Sequence, residues 1–253
     1  MKKFFTIISA IVSFTLLASS KLLGPHDKKV NKPEKRVYHT LVYHDELKKT
    51  ILLDGYHRPD GTPEYGDLWT WDGIKWQMIP DKGPVMRFGG AIAFDTKRKK
   101  LVLFGGLNAS GPGDGKLLND TWEWDPVNKW KRFEVAGPSA RAWHAMAYDG
   151  QRNKIVLFGG ATGFGKTAFS ETWEWDGQQW EKINATNGPG SLCDLAMVYD
   201  DRIKKIILFG GQPVKADEDE KRKDSGDTWT WDGREWQRVN DKGLFLILDL
   251  TSQ

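Results

Sequence analysis

The sequence predicts an all-β protein made of four repeats of one four-stranded antiparallel unit. The first observation is the spacing of tryptophan: twelve of the thirteen fall into four triplets, Trp69, Trp71, Trp76; Trp122, Trp124, Trp130; Trp173, Trp175, Trp180; and Trp229, Trp231, Trp236. Their period is 51 to 56 residues, which is the length of a repeated supersecondary unit. The second is an apolar run closing on a glycine pair ahead of three triplets, at Leu101–Gly106, Ile155–Gly160 and Ile206–Gly211. The third is a two-residue alternation through the triplets, as in DTWEWDP, ETWEWDG and DTWTWDG, which is the period of a strand.

Each repeat parses into four strands. The first ends in VYH, AFD, AYD or VYD (37–44, 91–95, 145–149 and 196–200) and leads into a tight polar turn. The second is the apolar run, whose continuous Val, Ile, Leu and Phe indicate burial on both faces. In the third, both tryptophans share one face while Thr70, Glu123, Glu174 or Thr230 occupies the other. An Asp-Gly or Asp-Pro turn leads to the fourth, which carries the last tryptophan in WQMI, WKRF, WEKI or WQRV. Four antiparallel strands in a repeat of this length suit one blade of a β-propeller. The repeats run about 36–84, 85–138, 139–189 and 190–243. The first departs from the others in having Asp54 where they have glycine.

A glycine pair closing an apolar strand, then an aromatic-x-aromatic-Asp segment, then a tryptophan a few residues on, resembles the kelch repeat family over residues 36–243. The resemblance implies a kelch-type β-propeller. Kelch propellers include interaction modules, oxidases and sugar-processing enzymes, so activity has to be argued from sites. Four blades are the lower limit of the usual range, so the expectation includes an incomplete or open ring that self-associates through exposed sheet edges. Residues 244–253 form a tail with text for one extra strand.

The N-terminus reads as an export signal. Lys2 and Lys3 precede an uncharged apolar run from Phe4 to Leu17, and Ala18-Ser19-Ser20 supplies small residues for cleavage. Residues 1–20 are therefore expected to be a signal peptide and 21–35 a flexible basic leader. The product is placed outside the cytoplasm: secreted, periplasmic or at the cell surface. Losing Lys2 and Lys3 takes the formal charge from +3 to +1, which points to no nucleic-acid partner. Cys193 is alone, so it forms no intrachain disulfide and no cysteine zinc site.

Binding candidates come from residues that break or ring the repeat. Antiparallel parity puts the loops 56–66, 107–119, 161–170 and 212–226 on the same end as the connections between repeats. These loops vary while the strands hardly change. Arg36, Arg87 and Arg141 precede the first strands of three repeats at that end, where guanidinium groups can clamp carboxylates or sulfates. Leu192 replaces the arginine in the fourth. Trp143 is the tryptophan outside the triplets and the candidate for stacking on a ligand. Recurrence of Asp67, Asp120, Glu171 and Asp227 in every repeat points to a structural role.

Other chemistry finds little support. Gly160–Thr167 fits the phosphate-binding pattern G-x-x-x-x-G-K-[ST], but only four residues separate it from a strand, leaving no helix to face a phosphate. The five histidines show no metal-ligand spacing. Cys193 lacks the partner set that kelch-type copper oxidases use, so no catalytic residue, metal or cofactor is assigned. The expected function is a non-enzymatic module presenting its variable loops to a protein or surface polymer. The alternative is a carbohydrate-active or sugar-binding protein of the kelch type.

Overall fold

In a computed structural model, the described residues are 32–55, 66–108, 115–163, 166–213 and 224–239. The residues read as an export signal, most of the expected basic leader, the C-terminal tail, the greater part of loops 56–66 and 212–226, and residues 109–114 and 164–165 of the other two loops lie outside them. The chain divides into Met1–Val30 and Asn31–Gln253, and the second unit holds every described residue.

That unit is a four-blade β-propeller in which four antiparallel sheets are set in a ring, with no helix among the described residues. Blade 1 contains β1 (Thr40–His44), β2 (Lys49–Leu53), β3 (Leu68–Trp71) and β4 (Trp76–Ile79). Blade 2 contains β5 (Arg87–Phe88), β6 (Ala91–Asp95), β7 (Lys100–Asn108), β8 (Leu117–Asp125) and β9 (Lys129–Phe133). Blade 3 contains β10 (Ala142–Asp149), β11 (Lys154–Ala161), β12 (Thr172–Trp175) and β13 (Trp180–Ile183). Blade 4 contains β14 (Leu192–Cys193), β15 (Ala196–Asp200), β16 (Lys205–Phe209), β17 (Gln212–Pro213), β18 (Thr228–Trp231) and β19 (Trp236–Val239). β1, β6, β10 and β15 are the innermost strands, and each blade runs outward in chain order.

The second strands of blades 2 and 3 are buried on both faces because each face packs on a different blade. In β7, Leu101 and Leu103 join the cluster shared with blade 1, whereas Val102 and Phe104 join the cluster shared with blade 3. In β11, Ile155 and Leu157 face blade 2 while Val156 and Phe158 face blade 4. Trp124, Trp175 and Trp231 fill the bottoms of these joints and are fully buried. The nine repeat tryptophans of blades 2 to 4 thus belong to the joints between blades and are not a row of exposed stacking platforms, although several are only half-buried, while the blade 1 triplet Trp69, Trp71 and Trp76 joins none of these clusters.

The joints also carry a repeated polar device. The Trp180 indole donates from Nε1 to Thr121 Oγ1 at 2.8 Å, and Trp236 does the same to Thr172 Oγ1 at 2.9 Å. Trp175 donates to Glu123 at 2.9 Å, and Glu123 is held in turn by Arg98. At the first joint Trp124 donates instead to Asp81 at 2.9 Å. These four indole N–H groups therefore cross from one blade to the one before it, and the bonds are made where water competes poorly.

The glycine pairs let neighbouring backbones meet. A Cβ on Gly105 would lie 2.7 Å from the Arg141 carbonyl oxygen, and one on Gly159 only 2.4 Å from that of Leu192. Both residues have positive φ, 62° and 73°, which glycine adopts at no steric cost.

Candidate interaction site at the propeller axis

The three arginines sit at one end of the ring, where each enters its own blade's core. Arg36 grips the Asp67 carboxylate with both terminal nitrogens at 2.5 and 2.8 Å, and Arg87 grips Asp120 at 2.6 and 3.0 Å. Arg141 donates to Glu171 at 2.6 Å and to Ser139 Oγ at 3.0 Å. Each also donates to the carbonyl that ends the second strand, Asp54 at 2.9 Å, Gly105 at 2.9 Å and Gly159 at 3.0 Å. The same carboxylates accept from Trp69, Trp122 and Trp173.

This arginine, acid and tryptophan constellation explains why the acids recur. Burial works against ionisation of Glu171, but bonds from Arg141, Lys182 and Trp173 hold its carboxyl down at about 2. Asp120, also penalised by burial, is held below its ordinary value mainly by Arg87. The guanidinium of Arg87 has no exposed side-chain surface and neither does that of Arg141. Their charge is committed to the blades, and ligand contact by these side chains requires that the blades first give them up. In blade 4, where Leu192 replaces arginine, Asp227 pairs with Arg238 at the surface.

Two positions beyond each of the three arginines, and beyond Leu192 in blade 4, the chain turns sharply. Tyr38, Gly89, Trp143 and Asp194 all have φ between 53° and 65°, a region sparsely populated by residues with side chains. Their backbones link around the axis: Gly89 N–H donates to Tyr38 O at 3.3 Å, Trp143 to Gly89 O at 2.6 Å, and Asp194 to Trp143 O at 2.9 Å. Such strain persists where surrounding structure over-determines it, and it clusters at binding sites. Trp143 is held inside this belt, packed with Ala142, Ala161, Ala168 and Cys193 and against Phe88 and Leu107. Its indole is buried, which leaves little surface for stacking on a sugar. Tyr38 and Asp194 carry the belt's exposed side chains, and burial of its carboxyl raises Asp194 above the ordinary aspartate value against a weaker pull from Cys193.

The stems of the variable loops flank the belt. Arg87 pairs with Asn108, whose N–H donates to Lys116 O at 2.9 Å, and Arg141 N–H donates to Leu118 O at 3.1 Å. Within 160–168, Thr162 N–H is bonded to Thr167 O at 2.9 Å and Ala161 is bridged to Ala168 in antiparallel fashion, and the described residues there include no helix.

Further along the axis lies a cavity of about 580 Å³ bounded by the innermost strands of all four blades. Tyr43, Phe94, Tyr148 and Tyr199 line it at one repeat position, with Met146 and Met197 between them. Neither the belt residues Tyr38, Gly89 and Asp194 nor this aromatic lining was singled out by sequence reasoning. The signal for the lining was present as the recurring aromatic of VYH, AFD, AYD and VYD. The belt has no such signal, because its four positions share a backbone conformation and no side-chain type. Among the described residues, no group of His, Cys, Asp and Glu is arranged to hold a metal.

Comparison with known proteins bears on the whole arrangement. Residues 98–244 match the KLHDC2/KLHL20/DRC7 Kelch-repeats domain. The chain is 30% identical over 191 residues to the dynein alpha chain of the flagellar outer arm of Chlamydomonas reinhardtii, covering 66% of this chain and 4% of that one. It is 26% identical over 213 residues to Mei4-dependent protein 6 of Schizosaccharomyces pombe, covering 70% and 28% respectively. A solved structure, that of YjhT, superposes with a TM-score of 0.65 over 81% of this chain and 70% of that one, at 16% identity, a likeness of fold. The chain thus spans well under two thirds of these two relatives' own length.

Proposed function

Because the chain belongs to the family of KLHDC2/KLHL20/DRC7 kelch-repeat domains, we propose that it is an exported protein-interaction module whose variable loops meet the partner at the belt end of the axis. The observation that carries this reading is the internal use of the recurring charges. Arginines and acids that could have held a small ligand are spent on holding blades together. Specificity is then left to the segments that differ between repeats, which is where rigid scaffolds usually carry it. The charged, apolar and small-residue sequence of residues 1–20 supports the export part of this reading, under which the partner is met in the secreted, periplasmic or cell-surface compartment. A surface polymer is the other partner that loops of this kind could take.

The test exchanges loop 107–119 for the shorter 161–170 sequence and compares partner crosslinking and thermal unfolding with the parent chain. Loss of the crosslinked partner with an unchanged transition supports the reading. Thermal unfolding with neutral and acidic sugars supplies the opposing outcome. A ligand specific to the folded state, at 100 times its dissociation constant, adds about 2.7 kcal/mol, and such a rise with a sugar would overturn the protein-binding reading.

A further inference from the structure

The joints between blades 2 and 3 and between blades 3 and 4 are each a plug in a socket. The plug is the tryptophan that opens a fourth strand. The socket is the phenylalanine closing the second strand of the preceding blade and the threonine paired with it on the third. Trp180 packs edge-on against Phe104 with ring centroids 5.3 Å apart, and Trp236 against Phe158 at 5.1 Å. Phe104 pairs with Thr121 and Phe158 with Thr172, the threonines that accept the two indole N–H groups.

Blade 4 carries a third copy of this socket. Phe209 pairs with Thr228 in the same register, yet Phe209 is 56% exposed where Phe104 and Phe158 are 0%. Val198, on the same face of the blade, is 59% exposed, whereas its equivalents Ala93 and Ala147 are buried. Blade 1 carries the matching plug. Trp76 packs on its own neighbour Trp71, with ring centroids 5.4 Å apart, and has no partner on another blade among the ring contacts of the described residues. On the innermost strand of the same blade Leu41 and Tyr43 are 54% and 52% exposed, while Ile92 and Phe94 at the same positions are buried in the first joint. Blades 4 and 1 of one chain therefore leave these two faces uncovered among the described residues.

We propose that a second copy of the chain covers them, blade 4 of one copy packing on blade 1 of the next so that Trp76 enters the Phe209 and Thr228 socket. The occupant is argued from complementarity. One chain presents one empty socket and one unused plug, and the joint they would form is the one the fold already makes between blades 2 and 3 and between blades 3 and 4. The contact is heterologous, joining two different surfaces, and it uses blade faces where the sequence pointed to strand edges. The sequence past β19 adds Asp241-Lys242-Gly243, outside the described residues, which repeats the Asp81-Lys82-Gly83 that adjoins the first joint.

The test is sedimentation of residues 21–253 over a range of concentrations, with Phe209→Glu, Val198→Lys and Leu41→Glu, each confirmed as folded by near-ultraviolet circular dichroism. Association that rises with concentration, and weakens about tenfold or more in each variant, is expected. The decisive arm is a mixture of Phe209→Glu and Leu41→Glu chains. Each is defective on a different face, so the mixture forms a one-to-one pair through the single intact contact, while neither variant associates alone. A parent chain that stays monomeric at every concentration overturns the proposal, because the chain then either covers both faces itself or leaves them bare. Association indifferent to both Phe209→Glu and Val198→Lys overturns it as well, since it then uses another surface. The partner-crosslinking result is independent of this outcome.

Discussion

The Trp180 indole lies edge-on to the Phe104 ring across the joint between blades 2 and 3, and its N–H ends on Thr121 Oγ1 at 2.8 Å. Apolar contact and polar registration therefore come from one side chain. An aromatic pair contributes about 0.5–1.5 kcal/mol beyond its buried area, and the hydrogen bond fixes where along the neighbouring strand the ring can sit. Thr121→Val leaves the buried N–H without an acceptor and is expected to cost about 1–3 kcal/mol in urea unfolding. Thr228→Val, in the unfilled socket, is expected to change dilute chain stability by less than about 0.5 kcal/mol. Equal losses at the two sites would contradict the assignment.

Arg87 is buried with Asp120 and the Gly105 carbonyl of its own blade and lies 3.9 Å from the Asp54 carboxylate of blade 1. Removing one member of a buried pair leaves the other charge uncompensated, so Arg87→Leu is expected to lose about 3–5 kcal/mol. The double variant Arg87→Leu, Asp120→Leu recovers part of that loss, because the stranded carboxylate is gone. Chemical denaturation of the three variants checks both statements.

His144 is buried between Gly105 and Gly160, and desolvation, reinforced by the Arg141 charge, lowers it to about 3. The unfolded chain binds a proton there near pH 6.5 while the folded chain does not, so this group costs stability as the pH falls from about 6.5 towards 3. Leu195 occupies the same niche in blade 4, beside Gly159 and Gly211. His144→Leu should therefore fold and should flatten the loss of stability between pH 7 and pH 5, measured as denaturation midpoints.

Asp54 has the opposite sign. It stands where blades 2 to 4 have glycine, at a φ of 58°, with its carboxylate buried. Burial, aided by Asp67 and opposed by Arg87, raises it to about 8. The folded chain holds this proton where the unfolded chain has released it. Stability from this group is fully present below the ordinary aspartate value and is lost as the pH rises to about 8. Asp54→Gly is expected to be more stable than the parent at pH 9, with a smaller advantage at pH 5.

The repeat text made the blades legible because burial on both faces and two-residue alternation leave a direct mark on composition. Trp124, Trp175 and Trp231 were readable as core for that reason, and the recurrence of Asp67, Asp120 and Glu171 was readable as structural. The arginines of the same constellation were set apart as ligand candidates, since a single sequence does not reveal that Arg87 and Asp120, 33 residues apart, meet across the blade. Tyr38, Gly89 and Asp194 were invisible because what they share is a dihedral angle. The exposed faces of blades 1 and 4 were equally hidden: Phe209 has the same sequence context as Phe104, and only the neighbour differs.

The most direct measurement places a photo-crosslinking residue at Lys116, beside the loop stems and the belt, and in a second variant at Thr96, on the turn at the far end of β6. Lys116 is exposed and donates no side-chain bond to the frame among the described contacts, and Thr96 is also exposed. The account predicts a protein crosslink from Lys116 and none from Thr96. A crosslink from Thr96 alone would put recognition on the turn side and contradict it.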